Sequence, residues 1–435
     1  MGASAGANLG PQNVAAWTPD RTNTEGHGIR LGDFELHPGL GAGIGWVSNV
    51  FLEAPSEGVE DSAVLRVLPH LYLSTLTNER LQEAMGEGET QKVSFRAGLT
   101  GAFKQYFATE MSHHPDMAVG EDARLTLRPS SVFAWELFDE FHRSIDPFTQ
   151  AVSPVPGASS ATAQFDRDQI GVGTRLQLST PGQLFKVGAG YRFDFDYFED
   201  DLFKANENLS HTIAADTSWE FLPKTALFWN GSMRFFKFTN TDLQSVSSRN
   251  DSTNVQSRIG LNGALTPKLG FTLAVGYGAG FVSNASDYES AIAQVELRWK
   301  LRDTVLWALG YDREYNPSFQ GNFARLDRIK TRLQTMLMGA LLLGLRAELS
   351  FVDFGNDPNL ASASNPSGSR SDIHLLTDLN AEYRIVNWFA ITAELSYLQD
   401  FTDFEYVLMP ATGPAIVDPA KYQQFQAWLG VRAFL

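Results

Sequence analysis

From Phe34 to the last residue, apolar and polar side chains alternate in strand-length segments separated by chain-reversing turns. Between 184 and 198, one parity carries Phe185, Val187, Ala189, Tyr191, Phe193, Phe195 and Tyr197, and the other carries Lys186, Gly188, Gly190, Arg192, Asp194 and Asp196. Successive side chains on a strand point to opposite sides, so this stretch predicts a strand with one aromatic face and one charged face. A soluble sandwich also alternates, but aromatics recurring opposite charge and glycine fit a membrane-spanning barrel with lipid outside and water within.

The period of two predicts strands near 33–48, 62–77, 93–106, 119–128, 132–143, 167–179, 184–198, 208–221, 226–238, 253–266, 269–281, 288–301, 305–314, 325–337, 342–352, 372–385, 389–398 and 422–435. The expected fold is all-β: a transmembrane, antiparallel, up-and-down β-barrel of about eighteen strands. Connections alternate in length, with tight turns at 128–131, 180–183, 222–225, 266–269, 301–304, 338–341 and 385–388. Proline stands in the turns at Pro181, Pro223 and Pro267, where its fixed φ favours reversal. Long polar connections lie at 145–166, 199–207, 239–252, 314–324, 353–371 and 399–421. Short turns are periplasmic and long loops extracellular in such barrels, which puts both termini in the periplasm. The segment 78–91 is long but falls on the periplasmic side; Glu79, Arg80, Glu83 and Ala84 suggest a short helical excursion there. Residues 1–30 form an expected periplasmic N-terminal segment and 31–435 the barrel. Closure is demanded because an open sheet edge in lipid leaves N–H and C=O groups unpaired. The closing strand has Phe425, Ala427, Leu429, Val431, Ala433 and Leu435 outward and Gln426, Gly430 and Arg432 inward.

The chain has 435 residues, no cysteine and a net charge of −16. No disulfide framework or thiolate metal site is possible, and an acidic chain gives no reason to expect nucleic acid. The most apolar run, 333–345, lies between Arg332 and Arg346 and reads as two strands and a turn, so helical spans are excluded. The first nineteen residues lack the basic start and apolar core of a signal peptide. An outer-membrane protein must be exported, so a mature or trimmed form is expected.

In a barrel this wide, side chains cannot fill the interior, so function rests on inward positions. Parity places Arg66, Arg96, Lys104, Arg124, Arg128, Arg175, Lys186, Arg192, Arg234, Arg258, Arg298, Lys300, Arg328, Lys330, Arg332, Arg346, Arg384 and Arg432 inward, with fewer acids such as Glu136, Asp194, Asp216, Asp312, Glu348, Glu382 and Glu394. Either these charges pair across strands and keep the bore wet, or they form a positive path that draws in anions or acidic sugar units. The basic candidates for that path are Arg175, Arg192, Arg258, Arg328, Lys330, Arg332 and Arg346, the last facing the preceding three. Gly39, Gly41, Gly43 and Gly45 alternate inward on the first strand, admitting a close neighbour or a bend. None of the eight histidines has metal-ligand spacing. His113-His114 lies in a predicted loop, and no catalytic motif or cofactor is expected.

The run Phe34-Glu35-Leu36-His37-Pro38-Gly39-Leu40-Gly41-Ala42-Gly43-Ile44-Gly45-Trp46-Val47-Ser48-Asn49-Val50-Phe51 resembles the first strand of outer-membrane β-barrel proteins (the β-barrel porin 2 family) associated with exopolysaccharide gene clusters. The Thr266-Pro267-Lys268-Leu269 turn is similar too. The resemblance implies a bacterial outer-membrane channel that forms the membrane-crossing part of a polysaccharide export translocon, working with a periplasmic polysaccharide export protein. The residues leave two alternatives: a general or anion-preferring diffusion porin, and a plugged barrel acting as an envelope scaffold, closed by the loops at 145–166 and 399–421.

Overall fold

The computed structural model describes residues 28–56, 58–76, 92–107, 116–144, 167–199, 204–240, 250–283, 285–318, 323–355, 369–408 and 416–435. A short strand, β1 (Ile29–Leu31), is followed by β2 (Phe34–Val47), β3 (Ser62–Thr75), β4 (Val93–Tyr106), β5 (Asp116–Ser130), β6 (Phe133–Ser144), β7 (Arg167–Ser179), β8 (Phe185–Phe198) and β9 (Asn208–Leu222). Next come β10 (Thr225–Phe238), β11 (Ser252–Thr266), β12 (Leu269–Val282), β13 (Tyr288–Arg302), β14 (Val305–Pro317), β15 (Phe323–Leu337) and β16 (Leu341–Phe354). The chain ends with β17 (Ser371–Val386), β18 (Phe389–Phe401), the small hairpin β19 (Glu405–Leu408) and β20 (Ile416–Pro419), and β21 (Tyr422–Phe434).

Each barrel strand pairs antiparallel with its chain neighbour, and β21 pairs with both β18 and β2. The ladder from Gly39–Phe434 to Val47–Gln426 shuts the cylinder, giving a closed barrel of 18 strands. Closure leaves no edge to be satisfied by lipid. Where β21 stops, β1 continues the seam, pairing Ile29 with Leu36 and Leu31 with Phe34.

The predicted strands stand where expected, with three extensions at the long-loop end: β5 begins at Asp116, β14 runs to Pro317 and β18 to Phe401. There the ladder outlasts the apolar–polar alternation, because outward side chains turn polar once a strand leaves the oily layer. β1 and the β19–β20 hairpin lie outside the alternating pattern altogether. The segments 78–91 and 145–166 and the His113-His114 pair fall outside the described residues.

The exterior is apolar: Ile44, Ile213 and Val275 are 65%, 55% and 64% exposed. Tryptophans Trp135, Trp219, Trp229, Trp299 and Trp388 crowd the outer surface near the tight turns, an interfacial girdle. Three lipid-side indoles are satisfied within the protein: Trp135 Nε1 donates to Thr174 Oγ1 at 2.7 Å, Trp229 to Ser257 Oγ at 2.9 Å and Trp307 to Thr331 Oγ1 at 2.9 Å. The threonine hydroxyls pass the bond on to the Glu136 and Ala308 carbonyls.

The outer face is not purely apolar. Toward the long-loop end Arg313, Arg325, Asp327 and Asp353 form one lateral ion cluster, and Arg143 joins Asp168 and Glu199 in another. Glu121 and Asp139 sit diagonally on β5 and β6 and share a hydrogen bond on the same side. The tight turns follow turn chemistry. Met338 and Gly339 both have positive φ, 52° and 69°, as the central pair of a type I′ turn requires, and Ala340 N–H closes that turn on the Leu337 carbonyl at 3.1 Å. Pro223 precedes Lys224 at φ 67°, the arrangement of a type II turn.

Candidate functional site: the charged inner wall

The concave face declares itself through bonds that skip strands. Arg66 of β3 meets Glu394 of β18 at 2.8 Å, with β2 and β21 between them. Arg192 of β8 reaches Glu140 of β6 at 3.0 Å, and Arg432 of β21 reaches Glu382 of β17 at 3.3 Å. Side chains can bridge over an intervening strand only on the inside of the curve, so these residues line the interior.

The seven basic candidates all belong to this face, in different situations. Arg175 pairs with Asp216 at 2.7 Å, and Arg192 lies between Asp194 at 2.5 Å and Glu140. Arg328 is gripped by Asp312 at 2.9 Å, by Glu314, and by Glu348 at 3.9 Å, while Lys330 holds the other oxygen of Asp312 at 2.6 Å. Arg346 contacts Glu348 at 3.3 Å and stands directly opposite Arg332 in the β15–β16 ladder. Arg258 lies exposed beside Asn230 and Gly276, with no ion pair among the described residues.

The structure thus breaks up the expected basic patch: Arg328, Lys330 and Arg346 are each held by a carboxylate, and Arg346 stands between Arg332 on one side and Asp378 on the other. Several inward acids that do this pairing, Asp122, Glu140, Glu314, Asp372 and Asp400, were not among the expected lining residues. Asp122, Glu140, Glu314 and Asp372 were legible from parity, whereas Asp400 sits where β18 outruns the alternation.

Asp372 and Asp400 belong to a cluster at the long-loop end of β17 and β18. Arg370 Nη2 lies 2.7 Å from Asp372 and 3.6 Å from Asp400, and His374 Nε2 lies 3.4 Å from Asp400 and 3.7 Å from Asp372. The Arg370 guanidinium also sits 5.2 Å from both the Phe354 and Phe404 rings. Two carboxylates and an imidazole could ligate a metal by type. Here a guanidinium already chelates Asp372 through Nε and Nη2, supplying the positive charge a cation would bring.

The inward glycines of β2 are explained by their neighbours. A Cβ at Gly39 would lie 2.1 Å from His70 Nε2, and one at Gly45 would lie 2.3 Å from the Trp428 ring. Arg66 stacks on that same indole at 4.0 Å. Gly39 and Gly45 are therefore slots filled by rings from adjacent strands, whereas Gly41 makes room for Leu68 and Gly43 for the β21 backbone, at the seam where the barrel closes. Across the interior, Tyr288 stacks on Tyr315 at 5.3 Å and meets Phe323 at 4.5 Å, and Gln256 Nε2 donates to the Tyr315 carbonyl at 2.9 Å. The end of β14 is thereby drawn inward over β11. In the tight turn after β13, the Lys300 ammonium at 3.0 Å holds the Asp303 carboxyl below its ordinary range.

No family model matches the chain, and no curated protein matches it. Among solved structures, it is similar to the outer membrane protein OpdK from Pseudomonas aeruginosa at 11% identity, over 92% of this chain and 99% of that one, with a TM-score of 0.44. It is also similar to OpdQ of Pseudomonas aeruginosa at 12% identity, over 93% and 99%, with a TM-score of 0.46. A third is the FrpB iron transporter of Neisseria meningitidis, at 9% identity over 94% and 82%, with a TM-score of 0.46. From its own closed ladder, apolar exterior and charged interior, the chain is a bacterial outer-membrane β-barrel of channel type.

Proposed function

We propose that this barrel is the membrane-crossing conduit of a surface-polysaccharide export translocon. The observation that carries the reading is the ion-paired wall, from Arg66–Glu394 through Arg175–Asp216 to Arg328–Asp312. Paired charges largely cancel the long-range field that would select simple ions. They keep a dense set of hydrogen-bond donors and acceptors for a hydroxyl-rich polymer. The first-strand resemblance supports the same cargo. On this reading both termini are periplasmic, and the tight turns together with residues 1–30 dock a periplasmic polysaccharide export protein. A deletion strain should lose surface polysaccharide while still making cell-associated polymer; unchanged surface polymer defeats the proposal.

A second reading, a diffusion channel preferring anions, is favoured by the opposed Arg332 and Arg346 and by exposed Arg258. In a planar bilayer such a channel conducts steadily, with anion preference. A conduit that opens only with its partner conducts little or intermittently.

A further inference from the structure

Most cations of the inner wall are held by carboxylates, but the stretch from β8 to β12 differs. Arg258 of β11 is exposed and makes no ion pair, hydrogen bond or ring contact among the described residues. Its ladder neighbours carry no acid: Asn230 faces it from β10 and Gly276 from β12. The nearest carboxylate by register is Asp216, which faces Asn230 from β9. Asp216 leans the other way, over Gly188, and accepts from Arg175 at 2.7 Å. Glu220 and Glu296 lie nearer the tight turns, the latter held by Arg298 at 3.1 Å. No side chain rises beside Arg258 from β12, because a Cβ at Gly276 would lie 2.6 Å from the Arg258 Cα and Cβ.

Diagonally across the same ladder stands Phe228, half-buried and opposite Gly260. A Cβ at Gly260 would lie 2.5 Å from Phe228 Cζ, so the ring is laid along the wall over the glycine. One ring face is thereby turned to the bore, and no other ring or cation covers it among the described residues. Diagonal neighbours in a ladder stand about 7–8 Å apart, a span that one pyranose and its exocyclic group bridge. Lys186, also without an ion pair among the described residues, stands in the Phe228 row with Ser218 between them. A pyranose has an apolar C–H face that packs on an aromatic ring. The carboxylate of a uronic acid projects from the rim of that ring, where a planar guanidinium takes it through two parallel hydrogen bonds.

We infer that Phe228 and Arg258, with the Asn230 carboxamide between them, form a seat for one uronic acid residue of the cargo. The sugar ring stacks on Phe228, its carboxylate enters the Arg258 fork, and Asn230 meets a ring hydroxyl. This deepens the conduit reading and rests on carbohydrate passing along the inner wall; it selects an acidic polysaccharide over a neutral one.

The test is calorimetric titration of the purified, detergent-solubilised full-length barrel with trigalacturonate, with maltotriose and with acetate. Trigalacturonate should bind roughly tenfold or more tighter than either, since maltotriose lacks the carboxylate and acetate lacks the ring. Arg258→Gln should weaken trigalacturonate roughly tenfold or more, the loss of a charge-assisted hydrogen bond. Phe228→Leu keeps an apolar side chain over Gly260 and should weaken it severalfold while leaving acetate unchanged. Arg96→Gln, at an inner-wall arginine with its own carboxylate, Asp122 at 3.3 Å, should stay within roughly twofold. If Arg258→Gln fails to fold, Arg258→Lys keeps the charge without the fork and should still weaken binding severalfold. Trigalacturonate binding no tighter than maltotriose or acetate, an unchanged affinity in the Arg258 or Phe228 variants, or an equal loss in Arg96→Gln overturns the seat. Binding by a barrel whose deletion leaves surface polymer unchanged keeps the seat and defeats the conduit; loss of surface polymer without binding does the reverse.

Discussion

At the level of single residues, the inward glycines show how much a missing side chain can specify. Alternation alone marked Gly39, Gly41, Gly43 and Gly45 as one row but left open whether they made room for a bend or a neighbour. The neighbours decide it. Trp428 occupies the space over Gly45, backed by the Ala427 carbonyl, so a side chain there cannot be accommodated by rotating a flexible tip. Gly45→Val should therefore destabilise the barrel by about 1–3 kcal/mol through overpacking, read as a lower temperature for loss of heat-modifiable migration. Gly32→Ala provides the contrast for packing: nothing lies within 4 Å of its Cβ position, and only the positive φ of 66° is strained. Charge partners are far less legible than glycine slots. Parity tells which side Arg66 faces, but Glu394 is 328 positions away, and nothing local couples the two.

At the level of strands, the pattern of the chain is almost the whole story. A two-residue period fixes which face meets lipid, and turn chemistry at Pro223 and at Met338-Gly339 fixes where each hairpin reverses. Sequence reading falls short where strands project beyond the bilayer, because the ladder continues without a reason for outward residues to be apolar. Arg313, Asp327 and Arg325 are outward there, tied to one another sideways. The lipid-side indole bonds belong to this scale as well, since each links two neighbouring strands. Ser257→Ala removes the acceptor for Trp229 Nε1 at the interfacial girdle. That change should cost about 0.5–1.5 kcal/mol, the net worth of one hydrogen bond, measured by urea unfolding in lipid vesicles. A cost indistinguishable from zero would show that the indole finds an interfacial partner instead.

For the molecule as a whole, closure is the decisive event. The seam between β2 and β21 joins the two ends of the chain, and Arg66–Glu394 spans it from β3 to β18. Both side chains are nearly buried, at 9% and 11% exposure. Removing one partner strands a charge, so Glu394→Leu should destabilise by about 3–5 kcal/mol, whereas the double change Arg66→Met with Glu394→Leu should recover most of that loss. Equilibrium unfolding monitored by tryptophan fluorescence separates the cases, and a double variant no better than the single would refute the pairing as the cause. The same closure converts a list of inward charges into a paired wall, and so shapes the functional reading.

What the chain determines by itself is the barrel: strand positions, the face each residue takes, the rhythm of short and long connections, and residence in a membrane. All of these follow from period two and from turn residues, which act over a few positions. The tertiary structure decides which charges come to stand beside which. Arg328 and Arg332 are four residues apart on one strand and read alike in sequence. Only the folded sheet gives Arg328 three carboxylates and sets Arg332 against Arg346. Electrostatic partnership depends on register between strands and on reach across the bore, distances that one-dimensional order does not contain.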